Sequence, residues 1–384
     1  MISRRHLLFR SCSGAAATGG LLLAGRDLLS AKATAHVDSI ETISKNPEYY
    51  NGWPTIAKDA RGSLFVVVSG GRESHVCPFG RVELLRSHDE GKSWTWPEVL
   101  MDSAIDDRDA GICVTKAGTL LVTTFTSLAY ENNLANAKNW PAERLARWNE
   151  ANSRISGDER KRLLGTWMLR STDGGLTWSS PYRVPVNSPH GAIPLADGRV
   201  FYAGKALWTP EERVGVSISE DDGKTWGKLS DLPIRRGDSS SGYHELHAVE
   251  TSSGRLIVQI RNHNNAQKGE TLQCESSDGG KSWTEPHAIG VWGLPSHLLR
   301  TKSGRLLMSY GYRREPFGNE ARISDSEGAN WSEPVTISDD GIGVDLGYPS
   351  TAELSDGAFL TVWYERKSDS PRAVLRAARW RWVA

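Results

Sequence analysis

The sequence predicts an all-β fold: a six-bladed β-propeller with a helical insertion in blade 2. Two repeats carry that prediction. The first is the eight-residue pattern S-x-D-x-G-x-[ST]-W, at Ser87–Trp94, Ser171–Trp178, Ser219–Trp226 and Ser276–Trp283, frayed at Ser324–Trp331. Its Asp caps a tight turn, its Gly takes a φ that other residues avoid, and its Trp folds back over the hairpin. The second is an apolar strand, a Gly turn and another apolar strand, centred on Gly62, Gly118, Gly198, Gly254, Gly304 and Gly357. β-Branched and aromatic runs around such turns read as hairpins. Units that recur along a chain imply stacked supersecondary elements.

Each blade follows from one hairpin and the turn motif behind it. Blade 1 takes Gly62 and the first motif, and blade 2 takes Gly118 and the second. Blade 3 is built on AIPLADGRVFYAG, blade 4 on the Gly254 hairpin, and blade 5 on LLRTKSGRLLMSYG. Blade 6, TAELSDGAFLTVWY, has no motif. Its outer strand is expected from either the C-terminal run Val374–Val383 or a segment near the N-terminus. Residues 131–164 interrupt blade 2 and read as helical. Pro141 stands near the start of AERLARWNEA, and Ser156-Gly157-Asp158 is placed to cap ERKRLL. Leu145 and Trp148, three apart, suggest an insertion packed onto the propeller rather than a lid.

Strand direction follows from connectivity. If each inner strand starts at the top, its Gly turn lies at the bottom and so do the turn motifs. The motifs are therefore expected to be structural, and the chemistry to lie on the opposite face.

Residues 1–35 read as an export signal ahead of a propeller over 36–384. Ser3-Arg4-Arg5-His6-Leu7-Leu8 resembles the twin-arginine motif, an apolar stretch runs to Gly25, and Ala33-Thr34-Ala35 offers a small-x-small cleavage site. This predicts a periplasmic or secreted protein, without a stable membrane span once the signal is removed. The remainder holds 41 basic and 45 acidic groups, so no basic field suggests nucleic acid. Cys12 belongs to the signal. Cys77, Cys113 and Cys274 remain, an odd number that builds no disulfide framework.

The topology collects polar residues at the top. Inner strands are expected to start near Trp53-Pro54, Asp107-Arg108-Asp109, His190-Gly191, Glu245-Leu246-His247, Ser296-His297 and Tyr348-Pro349-Ser350. Second strands end near Arg72 with His75 beyond, Lys205, Arg261, Arg313-Arg314 and Glu365. Ionisable groups crowded at an axial depression shift one another's pKa values and mark a site. His244-Glu245-Leu246-His247 is not the H-E-x-x-H zinc motif, and no metal or cofactor is expected. The bland readings are also definite. Tyr348 could simply bridge blades, Glu245 could be the salt partner of Arg261, and Asp107-Arg108-Asp109 could lock two blades together.

With these residues, the chain resembles the bacterial sialidases, six-bladed propellers carrying Asp-box motifs, over roughly residues 45–375. Glu245 in ELHAVE, Arg261 in VQIRN, Arg313 or Arg314, and Tyr348 in GYPSTAEL with Trp363-Tyr364-Glu365 carry the resemblance. It implies an exo-glycosidase acting on a terminal anionic sugar of a glycan. Tyr348 would be nucleophile and Glu245 its base, while Arg261 and Arg313 clamp the sugar carboxylate. Two departures are visible. Gly52-Trp53-Pro54 stands where the family has Arg-Ile-Pro, and the loop Arg72–Gly80 lacks the family's acidic Asp. Arg72 or Arg108 is then the expected replacement clamp, and His75, Asp107 or Asp109 the replacement acid. With His190, His247 and His297, these departures suggest a substrate other than ordinary sialosides. A lyase acting on uronic-acid glycans and a non-catalytic glycan-binding propeller are the alternatives.

Overall fold

The computed structural model describes residues 33–210 and 213–383. The predicted signal lies outside them, apart from its last three residues. Six four-stranded antiparallel sheets form the blades of a propeller. Blade 1 comprises Tyr50–Lys58, Leu64–Arg72, Arg81–Ser87 and Glu98–Met101, and blade 2 Asp106–Val114, Leu120–Ser127, Thr166–Ser171 and Tyr182–Arg183. Blade 3 comprises Ile193–Pro194, Val200–Lys205, Val214–Ser219 and Gly227–Asp231. Blade 4 is Tyr243–Glu250, Leu256–Asn262, Glu270–Ser276 and His287–Trp292, and blade 5 Ser296–Arg300, Leu306–Tyr312, Phe317–Ser324 and Val335–Gly341. Blade 6 is Leu346–Glu353, Phe359–Arg366, Ala373–Val383 and Thr34–Thr42.

Both predicted sources contribute to blade 6. The C-terminal run is its third strand, and the N-terminal segment is the outermost. Thr34 pairs with Val383, and the register continues to Thr42 opposite Arg376. A three-stranded last blade would leave a row of unpaired backbone groups along an 11-residue edge. Pairing the N-terminal strand there covers it and ties the two ends of the described chain together. The predicted signal boundary after residue 35 falls two residues inside this strand.

The core lies between blades. Second strands are buried on both faces, as at Leu64–Val68 and Leu256–Val258, because a neighbouring blade covers each side. Blades 6 and 1 share one such layer, with Leu64, Val66 and Val68 against Leu360, Val362 and Leu375.

The turn motifs hold the bottom face. In the four intact copies the Ser hydroxyl donates to the Asp carboxylate at 2.8 Å. That Asp accepts the backbone N–H four residues on, at 2.8–3.0 Å. The Trp indole donates to the Gly carbonyl at 3.1–3.2 Å. In the frayed copy Ser326 accepts the Asn330 N–H instead, and Trp331 turns to Gln273. In three copies the residue before the Gly reaches the neighbouring blade. Glu90 accepts from Ser355 of blade 6, Asp222 from Thr115 and Thr119 of blade 2, and Glu327 from Ser253 of blade 4. The motifs thus close their own hairpins and fasten blade to blade.

The insertion forms α1 (Ala129–Ala135), α2 (Ala142–Ser153) and α3 (Gly157–Leu163), the last with a full Ser156/Glu159 capping box. Trp148 of α2 is buried with Cys77, Ile105 and Tyr130. Its indole donates to Glu73, which also pairs with Arg144 at 2.9 Å and Arg147 at 3.3 Å. The insertion therefore grips the loop after Arg72. Cys77, Cys113 and Cys274 are free and buried. No helix among the described residues is long and apolar enough to cross a membrane.

Deleting residues 34–42 should expose the edge of the Ala373–Val383 strand and remove about 3 kcal/mol or more, lowering the unfolding midpoint by several degrees. Thermal unfolding of the truncated protein checks this, and an unchanged midpoint would show that the ring closes without that strand.

Candidate active site

Four inner strands begin with the same distortion. Trp53, Asp109, Glu245 and Tyr348 have φ of 55°, 48°, 42° and 52°, a left-handed conformation costly for residues with a Cβ. Each lies where the ladder to the second strand skips: between Gly52 and Thr55, Arg108 and Gly111, His244 and His247, and Gly347 and Ser350. These are β-bulges, which re-aim a side chain. Four different blades thereby deliver an indole, two carboxyls and a phenol toward one another.

Tyr348 is the centre. Its hydroxyl donates to Glu245 Oε1 in a short hydrogen bond and accepts from Arg261 Nη1 at 2.9 Å. The same Arg261 nitrogen lies 2.5 Å from Glu245 Oε2. Arg261 Nε is held by His263 at 2.7 Å. The Arg313 guanidinium sits 5.7 Å from the Tyr348 ring centre, tethered by Nε to the Leu346 carbonyl. Burial and the Glu245 charge push the Tyr348 phenol well above its ordinary value. Burial alone would raise Glu245, but the Arg261 charge and the Tyr348 hydrogen bond outweigh it and hold the carboxyl at about 2.

Asp109 stands in contrast. It is buried, its Oδ1 has no hydrogen-bond partner among the described residues, and Arg108 Nε is 3.8 Å away. Burial pushes it up to about 6, against the pull of the Arg108 charge. Asp109 and Glu245 line one hollow of about 260 Å³, with Lys205, His244, Phe125 and the exposed Trp208. Lys205 Nζ donates to the Ser241 carbonyl. Two carboxyls in one hollow are thus biased in opposite directions, one ionised and one able to hold a proton at mildly acid pH.

On the other flank, His75 Nδ1 is 3.1 Å from Asp345 and 2.8 Å from the Tyr50 hydroxyl. Tyr50 and Tyr364 also donate to Asp345, at 2.9 and 3.2 Å. Burial would raise Asp345, but His75 and the two phenols hold it below the ordinary carboxylate range. Trp53 fills the wall between, 4.8 Å from the His75 ring and 6.3 Å from Tyr348.

Several sequence expectations are corrected. Arg72 is not a clamp: its guanidinium is fully buried and bonds to the carbonyls of Ser74, Asp107 and His75, the Ser69 hydroxyl and the Asp106 carboxylate. Gly80 makes that nest possible, since a Cβ there would lie 2.1 Å from Arg72 Nη1. Asp107 is turned away from the hollow and accepts both the hydroxyl and the N–H of Ser103 at 2.7 Å. Burial pushes it up to about 7, and its side chain is fully buried. Arg314 lies 3.6 Å over Trp292, on the outermost strand of blade 4. His190, His247 and His297 form a buried layer beneath Tyr348, lining a cavity with the far ends of the inner strands. Arg108 does stay near the hollow. Its guanidinium is 4.6 Å over Trp53, in the wall where the family's first Arg is missing.

Sequence reasoning missed Asp345, Tyr50, Trp208 and the bulges, and it named Tyr364 only as part of the motif around Tyr348. One signal was available. Trp53, Asp109, Glu245 and Tyr348 each stand nine residues before the hairpin glycine of their blade, at Gly62, Gly118, Gly254 and Gly357. In blades 3 and 5 that place is taken by Pro189 and Pro295, whose ring fixes φ negative.

Comparison with known proteins places this architecture. Residues 137–361 match the BNR repeat-like domain family, and the chain belongs to it. It is a divergent, sialidase-like six-bladed member. A sialidase of Bacteroides fragilis is 24% identical over 238 residues, which are 56% of this chain and 39% of that protein. A xyloglucanase of a Paenibacillus species is 27% identical over 35% of this chain and 13% of its own length. The chain therefore spans well under half of these curated relatives. Among solved structures, a Dyadobacter fermentans protein of unknown function superposes with TM-score 0.75 at 22% identity, covering 90% of this chain and 99% of that one. Trypanosoma rangeli sialidase in complex with sialic acid superposes at 0.56, with 17% identity, over 90% of this chain and 58% of that one.

Replacing Arg72 by Met should leave Asp106 buried without its partner and cost about 3–5 kcal/mol. Denaturant unfolding reads this. Undiminished stability with weaker binding of a carboxylated sugar would return Arg72 to the ligand.

Proposed function

We propose that this protein is an exported glycoside hydrolase that removes a terminal sugar bearing a carboxylate, sialic acid or a relative of it, from a glycan. The observation that carries the reading is the Tyr348 hydroxyl bonded to both Glu245 and Arg261. A sugar with a carboxylate on its anomeric carbon repels an anionic nucleophile. A neutral phenol approaches without that repulsion and is activated by an adjacent carboxylate. Arg261 and Arg313 flank the phenol and suit a carboxylate, which accepts planar guanidinium donors well.

The resting triad is poised but not reactive. Glu245 is too weak a base to ionise a phenol held so high. Substrate changes the balance. Its carboxylate competes for the Arg261 charge, which makes Glu245 more basic as the Tyr348 oxygen bonds to carbon. The leaving oxygen needs a proton, and Asp109, pushed up to about 6, is the acid we assign. Arg108 beside Asp109 is the assigned third cation. The similarity to sialidases and the paired carboxyls of opposite bias support this reading.

Tyr348→Phe should abolish release of a terminal sialic acid or related sugar while the unfolding midpoint is retained; an unchanged rate removes Tyr348 from the mechanism. The rate should hold at acid pH and fall as pH rises through about 6, since Asp109 donates only while protonated. Asp109→Asn should lose about 10²–10⁴-fold on a natural glycoside and far less on an aryl glycoside whose leaving group needs no proton. Equal losses on both substrates would exclude Asp109 as the acid.

A further inference from the structure

We propose that the axial cavity beneath the candidate active site binds a small inorganic anion. Its donors are the Nε2–H groups of His247 and His297 together with the His190 ring, and its mouth is lined by Lys58, Arg300 and Lys302.

The argument starts from the hydrogen bonds of the rings. His247 Nδ1 accepts the Leu298 N–H at 2.9 Å, and His297 Nδ1 accepts the Thr351 N–H at 3.4 Å. A neutral imidazole that accepts at Nδ1 carries its hydrogen on Nε2. Both rings therefore present N–H donors, and neither finds a protein acceptor among the described residues. His190 is 1% exposed, and neither of its ring nitrogens has a hydrogen-bond partner among the described residues. Its ring centre lies 5.4 Å from each of the other two, which stack at 4.5 Å. Buried polar groups in native proteins almost always find partners, so the His190 ring calls for a partner that the described residues do not supply, and the Nε2–H groups of His247 and His297 stand beside it.

A cation does not fit. Coordination through Nε2 would need a lone pair at the nitrogen that holds the hydrogen. Among the described residues no group of His, Cys, Asp and Glu is arranged to hold a metal.

The approach to the rings is electropositive. The three histidines line a cavity of about 320 Å³ whose other charged lining residues are Lys58, Arg300, Lys302 and Glu353. Each cation is steadied by a backbone carbonyl: Lys58 on Glu353, Arg300 on Thr251 and Lys302 on Leu354. Glu353 is the single opposing charge, and it is engaged by the Lys302 N–H at 2.6 Å. Three cations against one carboxylate favour an anion at the mouth, and N–H donors receive it at the floor.

The test uses the mature chain at fixed pH and constant ionic strength. Gluconate, the reference anion, is exchanged stepwise for chloride in one series and for phosphate in another. A saturable rise in unfolding midpoint of about 2 °C or more is expected in at least one series. The series that responds identifies the anion. His190→Leu should abolish the response, and Lys302→Met should weaken the apparent affinity several-fold. Identical midpoints in all three salts would overturn the proposal, as would an undiminished response in the His190→Leu protein. Should that variant fail to fold, NMR of the unmodified chain decides: the His247 and His297 Nε2–H resonances must move as anion is added. This inference stands apart from the glycosidase reading, because it needs no turnover.

Discussion

Four residues forced into left-handed backbone hold the site together. Trp53, Asp109, Glu245 and Tyr348 each carry a Cβ at positive φ, a conformation that costs of order 1–3 kcal/mol apiece. Nothing local offsets that cost. The strands below them do, because their apolar residues are locked between neighbouring blades and the hairpin registers leave each bulge no room to relax. Without the bulges, alternation along a strand would send these side chains into the inter-blade layers. With them, groups distant in sequence, such as Glu245 and Tyr348, come within hydrogen-bonding distance.

The electrostatics follow from that placement. Bringing several ionisable groups out of water is tolerable only where each is paired or neutral. Glu245 is paired with Arg261 and stays ionised, Asp345 is held by two phenols and His75, and Arg72 is spent on Asp106 and a nest of carbonyls. Among the described residues Asp109 has only Arg108, 3.8 Å away, as an ion-pair partner, so burial wins and its carboxyl is pushed up to about 6. The difference between the two carboxyls of the hollow is thus a difference in partners rather than in residue type.

The opposite end of the molecule does different work. The turn motifs close hairpins and reach across to the preceding blade, while the N-terminal strand completes the last blade. The helical insertion steadies the loop that carries His75 through Glu73 and Trp148. Rigidity is supplied from the bottom and the rim, and the chemistry sits where the inner strands begin.

The repeats were legible because hairpins are local: apolar runs, a glycine turn and the Ser/Asp/Trp pattern act within a few residues of each other. They determined the number of blades, the face on which the motifs lie, and the short set of polar residues from which a site could be built. Which members of that set meet was decided only by tertiary structure. Arg72 and Arg261 both end second strands, yet one is sealed in carbonyls because Gly80 opens a nest beside it, and the other reaches Tyr348. Asp107 and Asp109 stand two residues apart, the spacing that would put both on one face of a regular strand. The bulge that begins after Arg108 aims Asp109 into the hollow and leaves Asp107 on Ser103. Local pattern determines the elements; side-chain aim depends on backbone distortions that only the assembled ring can hold in place.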